Sequence, residues 1–306
     1  MKLTFPLPHL MEIGAMLQPW ELGVTGPEQL RLARRAEELG YDMIGIPEHL
    51  AMPPEEFRHS GRFWFHSTTA QAAIAGATSS ILINSSVTIL PLQHPIIMAK
   101  ALATADWFSG GRMIVTFGLG SMRKEFDYFG VPFHERGAIA NEYLEAIIAL
   151  WTQDTPTFQG KYVSFRDIGF DPKPVQKPHV PIWIGGDSDA ALRRAAKFGQ
   201  GWIVSFRTRP EELPARLDYL KSQPEWRERP FEVMYGLGTL RLTAGHAPSN
   251  DPDALPGAGA QEIVDELCRY RELGVTCSSV PIPPVADSEA YLDYAQWVME
   301  EIKPKL

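Results

Sequence analysis

Residues 180–206 read VPIWIGGDSDAALRRAAKFGQGWIVSF. The apolar run that ends at two glycines predicts a buried strand, and the alanine-rich segment after it has helical spacing. The run GWIVSF then predicts a second strand. A strand, a helix and a strand in this order predict parallel pairing through a right-handed crossover. This stretch therefore indicates an α/β fold.

The same alternation runs along the whole chain. Eight predicted strands, each followed by a helical segment, occupy the 306 residues. The strand runs are nearly continuously apolar, which indicates burial on both faces. We therefore predict a single domain, residues 1–306, folded as a (β/α)8 TIM barrel whose functional site lies on the loops after the strands. A doubly wound open sheet is the alternative.

Two connecting segments are unusually long. AMPPEEFRHSGRFWFHSTT follows the second strand, and QDTPTFQGKYVSFRDIGFDPKPVQKPHV lies between helix 4 and strand 5. Long connections in a compact domain are usually functional or disordered. The many aromatic residues of the first argue against disorder. Within the second, FQGKYVSF predicts a short hairpin with Gly160 at its turn, and we expect both segments near one end of the barrel.

Composition excludes several classes of protein. The formal charge is −8 and the pI is about 5.5, which argues against a nucleic-acid partner. Two cysteines without a C-x-x-C spacing indicate a reducing compartment and no disulfide framework. The N-terminus lacks the features of a signal peptide, and no apolar stretch reaches the roughly 18 residues of a membrane helix. We expect a cytoplasmic protein with no membrane partner.

Glu48 and His49 stand where the strand-like run MIGIP ends. In a barrel this position faces the functional end, so both are candidate catalytic residues. The alternative for His49 is a loop histidine that faces water. The eight histidines lack metal-site spacings, and no nucleophile elbow is present, so we predict no metal site. A catalytic barrel that has neither a metal site nor a nucleophile elbow is expected to rely on an organic cofactor.

Two glycine-containing turns follow strands. The segment IGGDSDAA can bind a phosphate through backbone N–H groups and a helix N-terminus, with Asp187 or Ser188 as the helix cap. A simple tight turn is the alternative. The segment GLGSM contains G-x-G but lacks the third glycine of a dinucleotide fingerprint, so it is a weak signal.

Four stretches together resemble the bacterial luciferase-like flavin oxidoreductase superfamily. They are AEELGYDMIGIPEHL, VTILPLQHPIIMAKALATADWFSGGRMIVTFGLGSMRKEFDYFGVPFHERG, FDPKPVQKPHVPIWIGGDSDAALRRAAKFGQGWI and YRELGV. The sequence looks most similar to the branch that uses the deazaflavin coenzyme F420. The resemblance implies a (β/α)8 barrel with an insertion between helix 4 and strand 5. It also implies that a flavin-type ring lies across the carboxyl ends of the strands.

The resemblance also implies roles for individual residues. His49 would exchange a proton with the substrate near the reacting edge of the ring, beside Glu48. Ser86 and Val87 would form a bulge behind the ring, with a cis peptide bond between them. Gly120 and Ser121 would contact the polyol chain of the cofactor. Its phosphate would be bound by Gly185, Gly186 and Asp187, with Gly201 and Trp202 beside the phosphate. The alternative for Ser86 and Val87 is ordinary strand packing.

Two positions depart from the relatives that oxidise sugar phosphates. Those relatives carry a tryptophan where Pro53 stands here and an acid where Arg123 stands. We therefore expect a different small organic substrate. Trp20, Trp64 and Phe65 are the predicted apolar walls of its pocket.

Three functions remain open. The first is hydride transfer between F420 and the substrate. The second is a monooxygenase that uses FMN and a separate cofactor reductase, because reduced FMN reacts with oxygen whereas a deazaflavin transfers hydride only. The third is a flavin-binding barrel without catalysis. We also expect a homo-oligomer.

Overall fold

The structure, a computed structural model, describes residues 1–13, 17–205, 207–237, 259–280 and 282–306. The strands in these ranges are β1 Lys2–Phe5, β2 Met43–Ile46, β3 Leu82–Ser85, β4 Thr88–Ile89, β5 Met113–Gly118, β6 Phe158–Gln159, β7 Ser164–Phe165, β8 Ile182–Gly185, β9 Gly201–Ile203, β10 Glu232–Met234 and β11 Cys277–Ser278. The α-helices are α1 Gly26–Glu38, α2 Phe57–Ser60, α3 Ser67–Ala77, α4 Pro95–Ser109, α5 Arg123–Tyr128, α6 Arg136–Thr152, α7 Asp189–Phe198, α8 Leu213–Lys221, α9 Ala260–Glu272 and α10 Ser288–Trp297.

The parallel strands close into a barrel. Neighbouring strands follow the order β3, β2, β1, β11, β10, β9, β8, β5, and a pairing of β3 with β5 closes the ring. β4 continues β3 after a short break and pairs with the end of β5. The predicted eight-stranded TIM barrel is confirmed, and the open-sheet alternative is wrong. All six residues of β5 are buried, as expected for a strand covered on both faces.

The predicted strand ILINSSVTIL is divided into two strands at Ser86 and Val87. The Ser86 N–H donates to the carbonyl of Ile46 in β2 at 2.7 Å. Thr88, in contrast, pairs with Phe117 of β5. Across these two residues the chain therefore keeps its pairing with β5 and ends its pairing with β2. The peptide bond between them is cis, as the resemblance implies. We call Ser86 and Val87 the bulge.

Most helices lie where their spacing predicts them. Pro214 does not interrupt α8, because it falls in the first turn, where a missing N–H breaks no helical hydrogen bond. The short helices α2 and α5 were not predicted. β10 is shorter than the predicted strand FEVMYGLGTLRL, whose last five residues, 238–242, lie outside the described ranges. None of the helices in the described ranges is long and apolar enough to cross a membrane.

The insertion between α6 and β8 contains the predicted hairpin. β6 and β7 pair antiparallel, with Gly160 at the turn. The carboxylate of Glu142 in α6 accepts hydrogen bonds from the backbone N–H groups of Lys161, Tyr162 and Val163. The turn is therefore held against the N-terminal half of α6, on the outside of the barrel.

Candidate active site

A cavity of about 710 Å³ opens at the carboxyl ends of the barrel strands. Its walls include Thr4 and Phe5 of β1, Gly45 of β2, Met234 of β10 and Ser279 just after β11. Ser86 of the bulge also lines it. Functional sites of TIM barrels lie at this end, so the cavity is where the fold leads us to expect a ligand.

The bulge fits tightly among glycines on three strands, β2, β5 and β8. A Cβ atom placed on Gly118 of β5 would lie 2.4 Å from Val87 Cγ2, and one on Gly185 of β8 would lie 2.7 Å from Val87 Cγ1. A Cβ on Gly45 of β2 would lie 3.0 Å from the Ser86 hydroxyl. Because these three residues are glycines, there is room for the bulge at the mouth of the barrel.

His49 is held by a carboxylate from another strand-end loop. Its Nδ1 atom lies 2.9 Å from Oε2 of Glu125 in α5. The other oxygen of Glu125 accepts the backbone N–H groups of Leu50 and Ala51, at 2.7 and 3.2 Å. One buried carboxylate thus orients both the imidazole and the loop that carries it.

The environment of Glu125 determines which partner carries the proton. Burial acts to raise the pKa of this carboxyl, but the hydrogen bond from His49, the electrostatic attraction to it and the hydrogen bonds from Leu50 and Ala51 outweigh burial and leave the pKa below its usual value. Glu125 is therefore ionised at neutral pH and only accepts hydrogen bonds. The Nδ1 atom of His49 must then be the donor, and its Nε2 atom is left to interact with a ligand.

Glu125 replaces the acid that the sequence interpretation considered absent. Arg123, the position matched to the acid of the sugar-phosphate-oxidising relatives, is exposed, and its guanidinium lies 4.7 Å from the centre of the Phe133 ring. The carboxylate that contacts His49 lies two residues later, at Glu125. Sequence reasoning missed it, although the glutamate just after a strand-end G-x-G was a visible signal.

Glu48 is buried and fully engaged with the protein. Its Oε2 atom accepts the backbone N–H and the hydroxyl of Ser67, at 3.0 and 2.9 Å. Its Oε1 atom accepts the N–H of Ile89 and the amide of Gln93, at 3.0 and 2.7 Å. Glu48 therefore joins the end of β2 to the start of α3 and to the chain after the bulge.

The three predicted pocket aromatics lie in different surroundings. The Trp64 ring contacts His49 edge to face, with centroids 4.6 Å apart. Phe65 packs against Phe63, with ring centroids 5.1 Å apart, and Trp20 packs against Tyr291, with ring centroids 5.3 Å apart. Trp64 is thus beside the candidate catalytic residue, and Trp20 contacts two residues of the cavity wall, Tyr291 and Gln18, without lining the cavity itself.

The predicted phosphate turn is held by internal hydrogen bonds. Gly186, with φ of +111°, donates its N–H to Ile203, at 3.2 Å, and accepts the indole N–H of Trp202, at 2.8 Å. The Asp187 carboxylate accepts the N–H of Ser205. Ser188 caps α7, one of the two residues predicted to do so. The amide of Gly186 is therefore already paired.

Of the remaining predicted contacts, Gly120 and Ser121 lie at the carboxyl end of the barrel, whereas Gly201 begins β9 and lies at the amino end of its strand. Gly120 and Ser121 follow β5, and Ser121 is exposed. Gly201 is buried under Trp183, since a Cβ there would lie 2.6 Å from that ring. In the described ranges, no group of three or more histidine, cysteine or carboxylate side chains is placed to hold a metal ion.

Comparison with known proteins identifies the family. Residues 10–246 match the family described as luciferase-like monooxygenase. The chain belongs to this family. The resemblance inferred from the sequence is thereby confirmed, and members of the family are oxidoreductases and monooxygenases.

Relatives in this family differ in their cofactor. The chain is 30% identical to an uncharacterized protein of Mycobacterium tuberculosis, over 92% of this chain and 96% of the relative. It is 32% identical to an FMNH2-dependent dimethylsulfone monooxygenase of Pseudomonas putida, over 51% of this chain and 44% of that protein. It is 31% identical to an F420-dependent glucose-6-phosphate dehydrogenase of Amycolatopsis mediterranei, over 59% of this chain and 54% of that protein.

The fold is shared with the solved structure of a monooxygenase. The monooxygenase RslO1 from Streptomyces bottropensis superimposes with a TM-score of 0.80, at 21% identity, and the match covers 99% of both chains. The part of the chain that the structure describes therefore has the same fold as this monooxygenase.

Proposed function

We propose that this luciferase-like protein transfers a hydride between coenzyme F420 and a small organic substrate. The observation that supports this proposal best is the pairing of His49 with the ionised Glu125 at the strand ends. His49 lies two residues after Pro47, which lines the cavity. Removal of a hydride from an alcohol requires a group that accepts the hydroxyl proton, and this pair supplies one.

The residues at the barrel mouth fit a flat ring. Ser86 and Val87 occupy the space left by three glycines, so a ring lying on the bulge would meet small or rigid groups. The cavity beside Ser86 has the size of a cofactor or substrate site. Bound F420 would accept or give the hydride at its ring, and a deazaflavin does no oxygen chemistry.

The phosphate of such a cofactor would lie at the turn between β8 and α7. A helix N-terminus favours an anion, because its first N–H groups have no partner within the helix. Gly186 shapes this turn through its positive φ, and its own N–H is paired with Ile203. We therefore assign the phosphate to the N–H groups after Gly186 rather than to Gly186 itself.

His49 moves the proton in this proposal. Its Nδ1–H is held by Glu125, so its Nε2 atom carries the lone pair that takes the proton of a substrate hydroxyl. In the reverse direction Nε2 returns that proton to the oxygen of the product. Trp64 keeps the imidazole in place by packing against it edge to face.

Glu48 has a different role from the one first predicted. Both of its oxygens already accept two hydrogen bonds within the protein, and its side chain is completely buried. We propose that Glu48 positions the segments around the bulge and exchanges no proton with the substrate.

The second candidate is an FMN-dependent monooxygenase that receives reduced flavin from a separate reductase. The match to the FMNH2-dependent dimethylsulfone monooxygenase favours it. The same bulge and helix terminus would hold FMN, but the oxygen required as co-substrate separates the two reactions.

Turnover assays separate the candidates. Purified protein is mixed anaerobically with oxidised F420 and a panel of alcohols, or with reduced F420 and the matching ketones, and the absorbance of the cofactor is followed. The proposal predicts substrate-dependent loss or return of the F420 absorbance without oxygen. Activity only with reduced FMN and oxygen would support the second candidate. Cofactor binding without turnover on any substrate would indicate a barrel without catalysis.

A further inference from the structure

His9 is held in an unusual conformation in the loop after β1. Its backbone φ is +50°, in the left-handed region that few residues other than glycine adopt. Its N–H donates to Oε2 of the buried Glu21, at 2.7 Å. Its ring stacks on Phe63, with centroids 4.4 Å apart and an angle of 13° between the planes. The imidazole is therefore fixed from the backbone and from one face.

The ring nitrogens of His9 are buried without a hydrogen-bond partner. The side chain is 9% exposed, and neither Nδ1 nor Nε2 is paired. The nearest carboxylate oxygen, Oε1 of Glu12, is 3.6 Å from Nε2, beyond hydrogen-bond distance. Burial of an unpaired polar group costs free energy, so an unpaired imidazole requires an explanation. His9 lines the strand-end cavity, which offers one.

Three other polar side chains of the cavity are already paired. Gln18 accepts the indole N–H of Trp20 and the N–H of Val285. Glu21 accepts the N–H groups of His9 and Gln18. The Tyr291 hydroxyl donates to the carbonyl of Pro6. His9 is thus a polar group in this wall that has bonding capacity left for a ligand.

The rest of the wall is largely apolar. It includes Phe5, Leu7, Leu10, Met11, Leu17 and Val285. Such a wall favours a ligand that is mostly hydrocarbon, because apolar contacts supply most of the binding free energy.

His9 and His49 contact adjacent residues of the same aromatic segment. His9 stacks on Phe63, and His49 packs against the next residue, Trp64. The cavity that His9 lines also reaches Ser86 of the bulge. A ligand in this cavity is therefore within the region where the cofactor ring is proposed to lie.

We propose that His9 is a substrate-binding residue that hydrogen-bonds the oxygen of a neutral, mostly apolar alcohol or ketone. This proposal rests on the proposed hydride transfer and names its substrate class. A neutral imidazole has one N–H donor and one lone-pair acceptor. It therefore pairs with a hydroxyl group and with a carbonyl group, which are the two oxidation states that hydride transfer interconverts. His9 holds the substrate, and the proton passes through His49.

Binding of three probes tests the role of His9. Dissociation constants of cyclohexanol, cyclohexanone and toluene are measured by calorimetry for the wild type, His9→Phe and His9→Asn, without cofactor. His9→Phe keeps a ring to stack on Phe63 but removes the hydrogen bond. We expect it to weaken binding of the alcohol and the ketone about 2- to 10-fold and to leave toluene unchanged. His9→Asn suits a positive φ and retains hydrogen-bonding atoms, so it should recover part of the loss.

Equal changes for all three probes, or no change for any, would overturn the proposal. If His9→Phe does not fold, the wild type still decides the question through ¹⁵N-histidine spectra, with His9 assigned by its absence in His9→Asn. Cyclohexanol should then shift the ring nitrogen resonances of His9, and unmoved resonances would contradict the proposal. The affinity for F420 is measured separately, so a protein that binds no F420 refutes the proposed function without deciding the role of His9.

Discussion

The Nδ1 atom of His49 lies 2.9 Å from Oε2 of Glu125, across 76 residues of sequence. The contact joins the loop after β2 to the helix after β5. Glu125 also accepts two backbone N–H groups of the His49 loop, so the carboxylate determines both the position and the tautomer of the imidazole. This pair is the basis of the proposed proton transfer.

Removal of the His49 imidazole is expected to affect turnover more than cofactor binding. A positioned acid–base group typically contributes ~10²–10⁴-fold to the rate. We therefore expect His49→Ala to lower kcat with F420 by about that factor and to change the F420 dissociation constant by less than about threefold. Steady-state assays and fluorescence titration measure the two quantities. Turnover that equals the wild type across the pH range would show that His49 is a loop residue without a catalytic role.

Replacement of Glu125 separates positioning from stability. Glu125→Ala leaves the partly buried N–H groups of Leu50 and Ala51 without an acceptor, at a cost of up to ~1–3 kcal/mol of unfolding free energy each. Glu125→Gln keeps one carbonyl acceptor, so it should lose less stability. Both variants should lower turnover, because neither holds the His49 Nδ1–H with a charged oxygen. Wild-type turnover in Glu125→Gln would exclude a need for the charge.

The free energy of unfolding at acidic pH should also depend on the ionisation of Glu125. Its folded-state pKa is below the usual value of 4.5, so the ionised carboxylate stabilises the fold above that pH. This stabilisation is lost as the pH falls below 4.5 through the lowered pKa. The difference in unfolding free energy between wild type and Glu125→Gln should therefore shrink as the pH falls below 4.5. Urea unfolding measures it, and a difference that is constant with pH would contradict the assignment.

The barrel was predictable because its signals are local. Apolar runs and helical spacing identify β8 and α7 from residues close in sequence. The hairpin at Gly160 and the strand end at His49 follow from the same kind of pattern. A resemblance to the luciferase-like superfamily added the cis bond at Ser86–Val87, which spacing alone does not indicate.

The side-chain partners were not predictable in the same way. Glu125 meets His49 only after β2 and β5 are brought to the same end of the barrel, and the match to relatives pointed to Arg123 instead. Glu48 carries no sign in the sequence that its carboxylate will be enclosed by Ser67, Ile89 and Gln93. These contacts depend on loop conformations, which distant packing determines.

Glu48 should contribute to the stability of the fold rather than directly to the chemical step. Glu48→Ala removes the acceptor of four hydrogen bonds in a buried place. We expect a loss of at least about 1–3 kcal/mol in unfolding free energy, the cost of one unpaired buried donor. Glu48→Gln, which keeps one acceptor oxygen, is the matched control and should lose less. Full stability with abolished turnover in both variants would instead indicate direct contact with the substrate.

The fit of the bulge among glycines can be tested by a double substitution. Gly118→Ala places a methyl group 2.4 Å from Val87 Cγ2, so it should weaken F420 binding and cost about 1–3 kcal/mol of stability through overpacking. Val87→Ala removes the clashing atoms, so the double variant should recover stability relative to Gly118→Ala. Additive losses in the double-mutant cycle would show that the two residues do not oppose each other.

Equilibrium titration with each cofactor tests the central claim most directly. Purified protein is titrated with F420 and, in parallel, with FMN, and binding is followed by fluorescence. We predict submicromolar affinity for F420 and much weaker binding of FMN. Submicromolar affinity for FMN, with no binding of F420, would contradict the proposal and favour the monooxygenase.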